Sequence, residues 1–184
     1  MENKVSELLN RLSESATLAM SRKSRELQEK GVHIVNLSLG EPDFNTPDFV
    51  KEAAKKAVDD NYSYYMSVNG YADFRESICA KFKRDNNLSF KPEQIVVSTG
   101  AKQSIANLLL SILNPGDEVL LPAPYWVSYV EMVKMAGATP VVIPSSIDND
   151  YKVSAEDLKK HSNEKSRILL FSSPCNPSGS VFSE

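Results

Sequence analysis

Arg167-Ile-Leu-Leu-Phe-Ser-Ser-Pro-Cys-Asn-Pro-Ser-Gly179 decides how the rest of this chain is read. Its first five residues form an apolar run of strand length, and the Ser, Pro and Gly residues after them punctuate a loop at the carboxyl end of that strand. Open α/β sheets hold their ligands at such ends. Pro174 and Pro177 restrict the backbone on both sides of Asn176, so the Asn176 amide can be presented to a ligand at little entropic cost. A Pro-rich turn that binds nothing has the same composition.

Working back from that strand, the same unit recurs. Ile95-Val-Val97, Asp117-Glu-Val-Leu-Leu121 and Thr139 to Ile143 read as strands. Between them Ala101 to Leu113, Tyr125 to Ala136 and Ser154 to His161 read as helices, the last with Ser154 as its cap and Glu156 and Asp157 in its first turn. This β-α-β-α alternation, with β-branched and Leu-rich strands, predicts an α/β fold: a mostly parallel sheet with helices on both faces. Nearer the amino terminus the spacing predicts an amphipathic helix from about Ser6 to Lys30 stopped by Gly31. A short strand His33-Ile-Val-Asn-Leu37, a turn-rich loop from Gly40 to Pro47 and helices over Asp48 to Asp59 and Tyr71 to Arg84 follow. The chain stops at Val181-Phe-Ser-Glu184, just after a loop and with no helix to cover the last strand, so it reads as the first part of a larger domain.

Composition narrows the function. Lys and Arg number 21 against 24 Asp and Glu, for a net charge of −3, and the one basic cluster, Arg22-Lys-Ser-Arg25, is partly neutralised by Glu26 and Glu29; a nucleic-acid partner is not expected. Cys79 and Cys175 give no disulfide framework and no metal-ligand spacing, which suits a reducing cytoplasm. Met1-Glu-Asn-Lys-Val-Ser-Glu-Leu-Leu9 has acidic residues and short apolar runs, unlike a secretory signal, and no stretch has the length of a membrane span.

Two further loops can carry chemistry. Ser98-Thr-Gly-Ala-Lys102 lies where a strand gives way to a helix, a place where backbone N–H groups and the helix dipole can hold a phosphate; an ordinary capped turn would look alike. Pro122-Ala-Pro-Tyr-Trp126 puts the chain's one Trp at a second such junction, where it can stack on a planar ring or simply join the core, with Tyr129 nearby. Cys175 beside Asn176, with His33 and His161 elsewhere, admits a thiol-hydrolase reading, but neither His has a motif around it.

Taken together in order, Gly40-Glu-Pro-Asp-Phe-Asn-Thr-Pro47, Tyr65-x-x-x-x-Gly70, Ser98-Thr-Gly-Ala-Lys-Gln103, Pro124-Tyr-Trp-Val-Ser-Tyr129 and Asn176-Pro-Ser-Gly179 resemble one family. The chain is similar, from about Ser13 onward, to the amino-terminal part of fold-type I, pyridoxal-phosphate-dependent aminotransferases of the aspartate aminotransferase class. The resemblance implies an incomplete large, cofactor-binding domain over residues 48–184. Residues 1–47 would be an arm and small-domain segment with a substrate loop. It implies that the backbone at Gly100, Ala101 and Lys102 binds the cofactor phosphate, that Trp126 stacks on the pyridine ring with Tyr129 behind it, and that Asn176 bonds the phenolic oxygen and helps to orient the substrate carboxylate.

Gly40 would meet that carboxylate through its backbone, Tyr65 would reach the phosphate of a neighbouring subunit in a homodimer with shared active sites, and Lys102 would meet the distal carboxylate of an acidic substrate. The implied reaction moves an amino group from aspartate to 2-oxoglutarate; aromatic or alanine-type substrates, and a non-catalytic cofactor-binding module, are the alternatives. Some relatives that accept prephenate carry a lysine near the position of Ser13, which counts against that activity here. The Schiff-base lysine, the aspartate on the pyridine nitrogen and the arginine on the α-carboxylate would all lie beyond Glu184. No catalytic residue is therefore assigned within these 184 residues.

Overall fold

The computed structural model describes residues 5–37, 39–40 and 42–183. The first four residues of the amino-terminal stretch, Glu41 of the Gly40 loop and Glu184 thus lie outside the described residues. Contacts divide the chain into two units, one of residues 1–39 with 105–184 and one of residues 40–104.

The first unit is built on a three-stranded parallel sheet. Strands β1 (Glu118–Pro122), β2 (Thr139–Ile143) and β3 (Ser166–Leu169) lie in the order β2-β1-β3. Leu120 pairs with Val141 on one side and Leu169 on the other, and the β1–β3 register shifts between Glu118 and Val119. The chain adds β2 on one side of β1 and then returns to place β3 on the other. Right-handed crossovers in opposite directions carry their helices to opposite faces, so the α/β arrangement inferred from the sequence follows from this order.

Helices α5 (Ala101–Ile112) and α6 (Ser128–Met135) pack Leu109, Met132 and Val133 against Val119 and Leu121. Leu109, Val119, Leu121, Val133 and Ile143 are at most 1% exposed, each such side chain contributing about 1.5–3 kcal/mol of burial. Helix α7 (Ala155–His161) adjoins β2. Ser154 caps it as expected: Asp157 N–H donates to Ser154 Oγ at 3.1 Å while Ser154 N–H donates to Asp157 Oδ2 at 2.9 Å.

Three expectations change. The single helix over Ser6 to Lys30 is two, α1 (Glu7–Asn10) and α2 (Ala16–Glu29). The break falls at Ser13, whose N–H donates to Glu131 Oε2 at 2.9 Å instead of to a helical carbonyl, in a Ser-rich stretch with a weak helical preference. Residues 33–37 and 95–97 form no strand, because a strand exists only by pairing and neither segment joins a ladder. Helix α6 starts at Ser128, not Tyr125, which leaves Trp126 in the loop ahead of it.

The second unit holds α3 (Asp48–Asp59) and α4 (Ala72–Asn86), near their expected bounds, and the loop leading into α5. Asn87 takes a left-handed conformation (φ 54°) at the end of α4.

Candidate functional site

In the first unit two loops leave the carboxyl ends of neighbouring parallel strands. The loop after β1 carries Trp126, half-buried against the core, its ring edge-on to Tyr129 with centroids 5.6 Å apart and planes at 89°. Tyr129 is buried, and its N–H donates to Trp126 O at 3.0 Å, so ring and backbone are both fixed from behind. The loop after β3 carries Asn176, which is exposed. Asn176 N–H donates to Ser172 Oγ at 3.3 Å, while its side-chain amide has no hydrogen-bond partner among the described residues.

Cys175 joins the two loops. Its thiol donates to Pro124 O at 3.2 Å, and the void between Pro122–Tyr125 and Phe171–Cys175 is only about 10 Å³. The far side of the Asn176 turn is held as well: Gly179 N–H donates to Cys175 O at 2.7 Å, Cys175 N–H to Ser180 O at 2.9 Å, and Ser180 Oγ to Asp150 Oδ1 at 3.3 Å. Lys152, 2.9 Å from Asp150, is the main cause of the lowered pKa of that carboxyl, which stays an acceptor at neutral pH. From the sequence Cys175 admits a nucleophile's reading. The structure makes it a tether, and His161 is engaged by the Asp157 carbonyl at 2.7 Å.

In the second unit the turn before α5 is built around Gly100. Its φ of +85° is a conformation that side-chain-bearing residues rarely adopt. Gly100 O accepts from Gln103 and Ser104 N–H at 3.1 and 3.3 Å, and the Gln103 side chain accepts from Thr99 N–H. Ala101 and Lys102 open the helix, where N–H groups point away from the helix body and no acidic side chain occupies the first turn. That donor set suits an anion. Gly40 is exposed, and a Cβ there would meet nothing within 4 Å. Tyr65 is fully exposed. A cavity of about 330 Å³, lined by Val68, Gly70, Tyr71, Val97, Ser98 and Thr99 among others, opens beside the turn.

The structure thus brings Trp126, Tyr129 and the Asn176 loop together in one unit and Tyr65, Gly100, Ala101 and Lys102 into the other. Each taken by itself, the Gly100 turn has the donors that an anion such as a phosphate needs, and the Trp126 ring is of a kind that stacks on planar groups. Among the described residues no group of three or more His, Cys, Asp or Glu has metal-binding geometry, and no helix is long and apolar enough to cross a membrane.

Comparison with known proteins gives these parts a context. A probable aspartate/prephenate aminotransferase of Rickettsia bellii is 48% identical over 97% of this chain, which spans 45% of that protein. Aspartate aminotransferase of Thermus thermophilus, solved with maleate, superposes with a TM-score of 0.94 at 38% identity, over 99% of this chain and 48% of its own. An aromatic aminotransferase from Pyrococcus horikoshii OT3 matches 78% of this chain and 38% of its own, with 40% identity and a TM-score of 0.75. The chain therefore spans somewhat less than half the length of these relatives. Residues 32–184 match the class I and II aminotransferases from end to end of that stretch, and the chain belongs to that pyridoxal-phosphate-dependent family.

Proposed function

We propose that the whole protein containing this chain transfers the amino group of aspartate to 2-oxoglutarate, and that these residues supply most of the cofactor contacts. The observation that carries this reading is the pair of tethered loops at the ends of β1 and β3, with Trp126 backed by Tyr129 and the Asn176 amide left to a ligand. Its kinship with relatives named for aspartate, one of them solved with the dicarboxylate maleate, supports the acidic substrate.

When bound, pyridoxal phosphate supplies an electron sink for negative charge at the substrate α-carbon. Trp126 stacks on its ring and keeps water from that face, and Tyr129 fixes the Trp126 rotamer. The Asn176 amide donates to the phenolic oxygen and orients the substrate carboxylate, to which Gly40 offers its backbone. The N–H groups at Gly100, Ala101 and Lys102 hold the phosphate. The Lys102 ammonium meets the distal carboxylate as a compact charge on a flexible stem. Tyr65 reaches the phosphate of a second copy, so the working form is a homodimer; residues 1–47 serve as arm and substrate loop, and the reducing cytoplasm is its compartment.

Steady-state assay of the whole gene product with aspartate and 2-oxoglutarate tests this. Ping-pong kinetics are expected, and none of that turnover with the 184 residues alone, because the residue that carries the proton steps lies elsewhere in the family. A whole protein that ignores aspartate but transaminates phenylalanine would favour the aromatic alternative, which the Pyrococcus relative supports. Prephenate is not expected as a substrate, since Ser13, whose N–H donates to Glu131, stands near the lysine position of relatives that accept it.

A further inference from the structure

Arg75 sits early in α4, five residues after Gly70, and is half-buried. Its Nε donates to Gly70 O at 3.2 Å and its Nη1 to Pro92 O at 2.8 Å. Ser67 Oγ donates to the same Gly70 carbonyl at 2.6 Å, and Val97 N–H donates to Asn69 O at 3.1 Å. Gly70 leaves no slack between these segments: its φ is +98°, and a Cβ would stand 2.7 Å from Val97 Cγ2. One guanidinium therefore ties the end of the loop that carries Tyr65 to the start of the segment that runs through Val97 into Ser98, Thr99 and Gly100. The two acceptors lie in different directions, which a planar fork of donors spans and a lysine ammonium does not.

We propose that Arg75 is a positioning residue for the cofactor phosphate. Acting through the Gly70 and Pro92 carbonyls, it sets the Ser98–Lys102 turn and the Tyr65 loop in place before the phosphate arrives, so the ordering cost is met on folding and not on binding. It also couples the phosphate contact a subunit makes for itself to the one it lends its neighbour. This role rests on the reading of Gly100–Lys102 as the phosphate cradle and of Tyr65 as a contact to the second copy.

The test uses the whole gene product freed of cofactor, titrated spectroscopically with pyridoxal phosphate and with pyridoxal, which lacks the phosphate. Arg75→Lys should weaken pyridoxal phosphate about tenfold, the worth of one charge-assisted hydrogen bond, and leave pyridoxal within about twofold. Ser67→Ala removes one bond to the same carbonyl and should shift the ratio in the same direction by less, which keeps the test open if a more severe variant does not fold. Equal weakening of both ligands, or no change for pyridoxal phosphate, in Arg75→Lys would overturn the role of Arg75 alone. A wild-type protein that binds the two ligands equally would overturn the phosphate-cradle reading and this role with it.

Discussion

Lys102 is a poor choice for the helix it opens. The first turn of α5 is the positive end of its dipole and holds no acidic residue, so a lysine there costs the helix up to about 1 kcal/mol. A substrate carboxylate at that ammonium, as proposed above, would offset that cost. On the reading proposed above, Lys102→Leu should lower kcat/KM for aspartate by about tenfold or more while alanine changes less than about twofold. Equal losses in steady-state assays of both substrates would contradict the acidic-substrate reading. At this scale the sequence singles out residues whose identity is itself unusual, namely a Gly just ahead of a helix, a lone Trp and an Asn between prolines, and the structure places each of them in a loop. Arg75 and Cys175 were not legible, because their acceptors are the backbone carbonyls of Pro92 and Pro124, which lie 17 and 51 residues away and which no side chain marks.

Strands β1, β2 and β3 could be read from short apolar runs bounded by turn residues, since such runs have to be covered on both faces. The runs at 33–37 and 95–97 have equal apolar character, yet form no ladder, because pairing is a property of two segments and a pattern describes one. Across the sheet, Asp117 lies just ahead of β1 and faces β3. Asn114 N–H donates to its Oδ2 at 2.8 Å, and Arg167 Nε to its Oδ1 at 3.3 Å. The Asn114 N–H first, then Arg167, hold this carboxyl below the usual range against the opposing effect of burial. A depressed pKa means stabilisation that is present above the ordinary aspartate value of about 3.9 and is lost as pH falls through the lower folded one. Urea unfolding of the whole protein should therefore place wild type above Asp117→Asn at pH 7, with the gap closing toward pH 3; a gap that does not depend on pH would rule this out.

Among the described residues, large apolar side chains stand open to solvent: Leu37 is 91% exposed, Phe44 86%, Phe49 77% and Val68 100%. Exposed apolar surface of this kind, where it is contiguous, marks surfaces that pack against something else. The 184 residues produced alone should enhance the fluorescence of a hydrophobic dye well above the whole protein at equal mass, and equal signals would mean that these surfaces stay open in both. The order β2-β1-β3 has its own consequence during synthesis. β2 leaves the ribosome before β3, so β1 can gain one neighbour while its other edge waits for Ser166–Leu169. At about 5–20 residues per second that edge stays bare for several seconds, long enough for a nascent-chain chaperone to occupy it or for a neighbouring polysome product to pair with it.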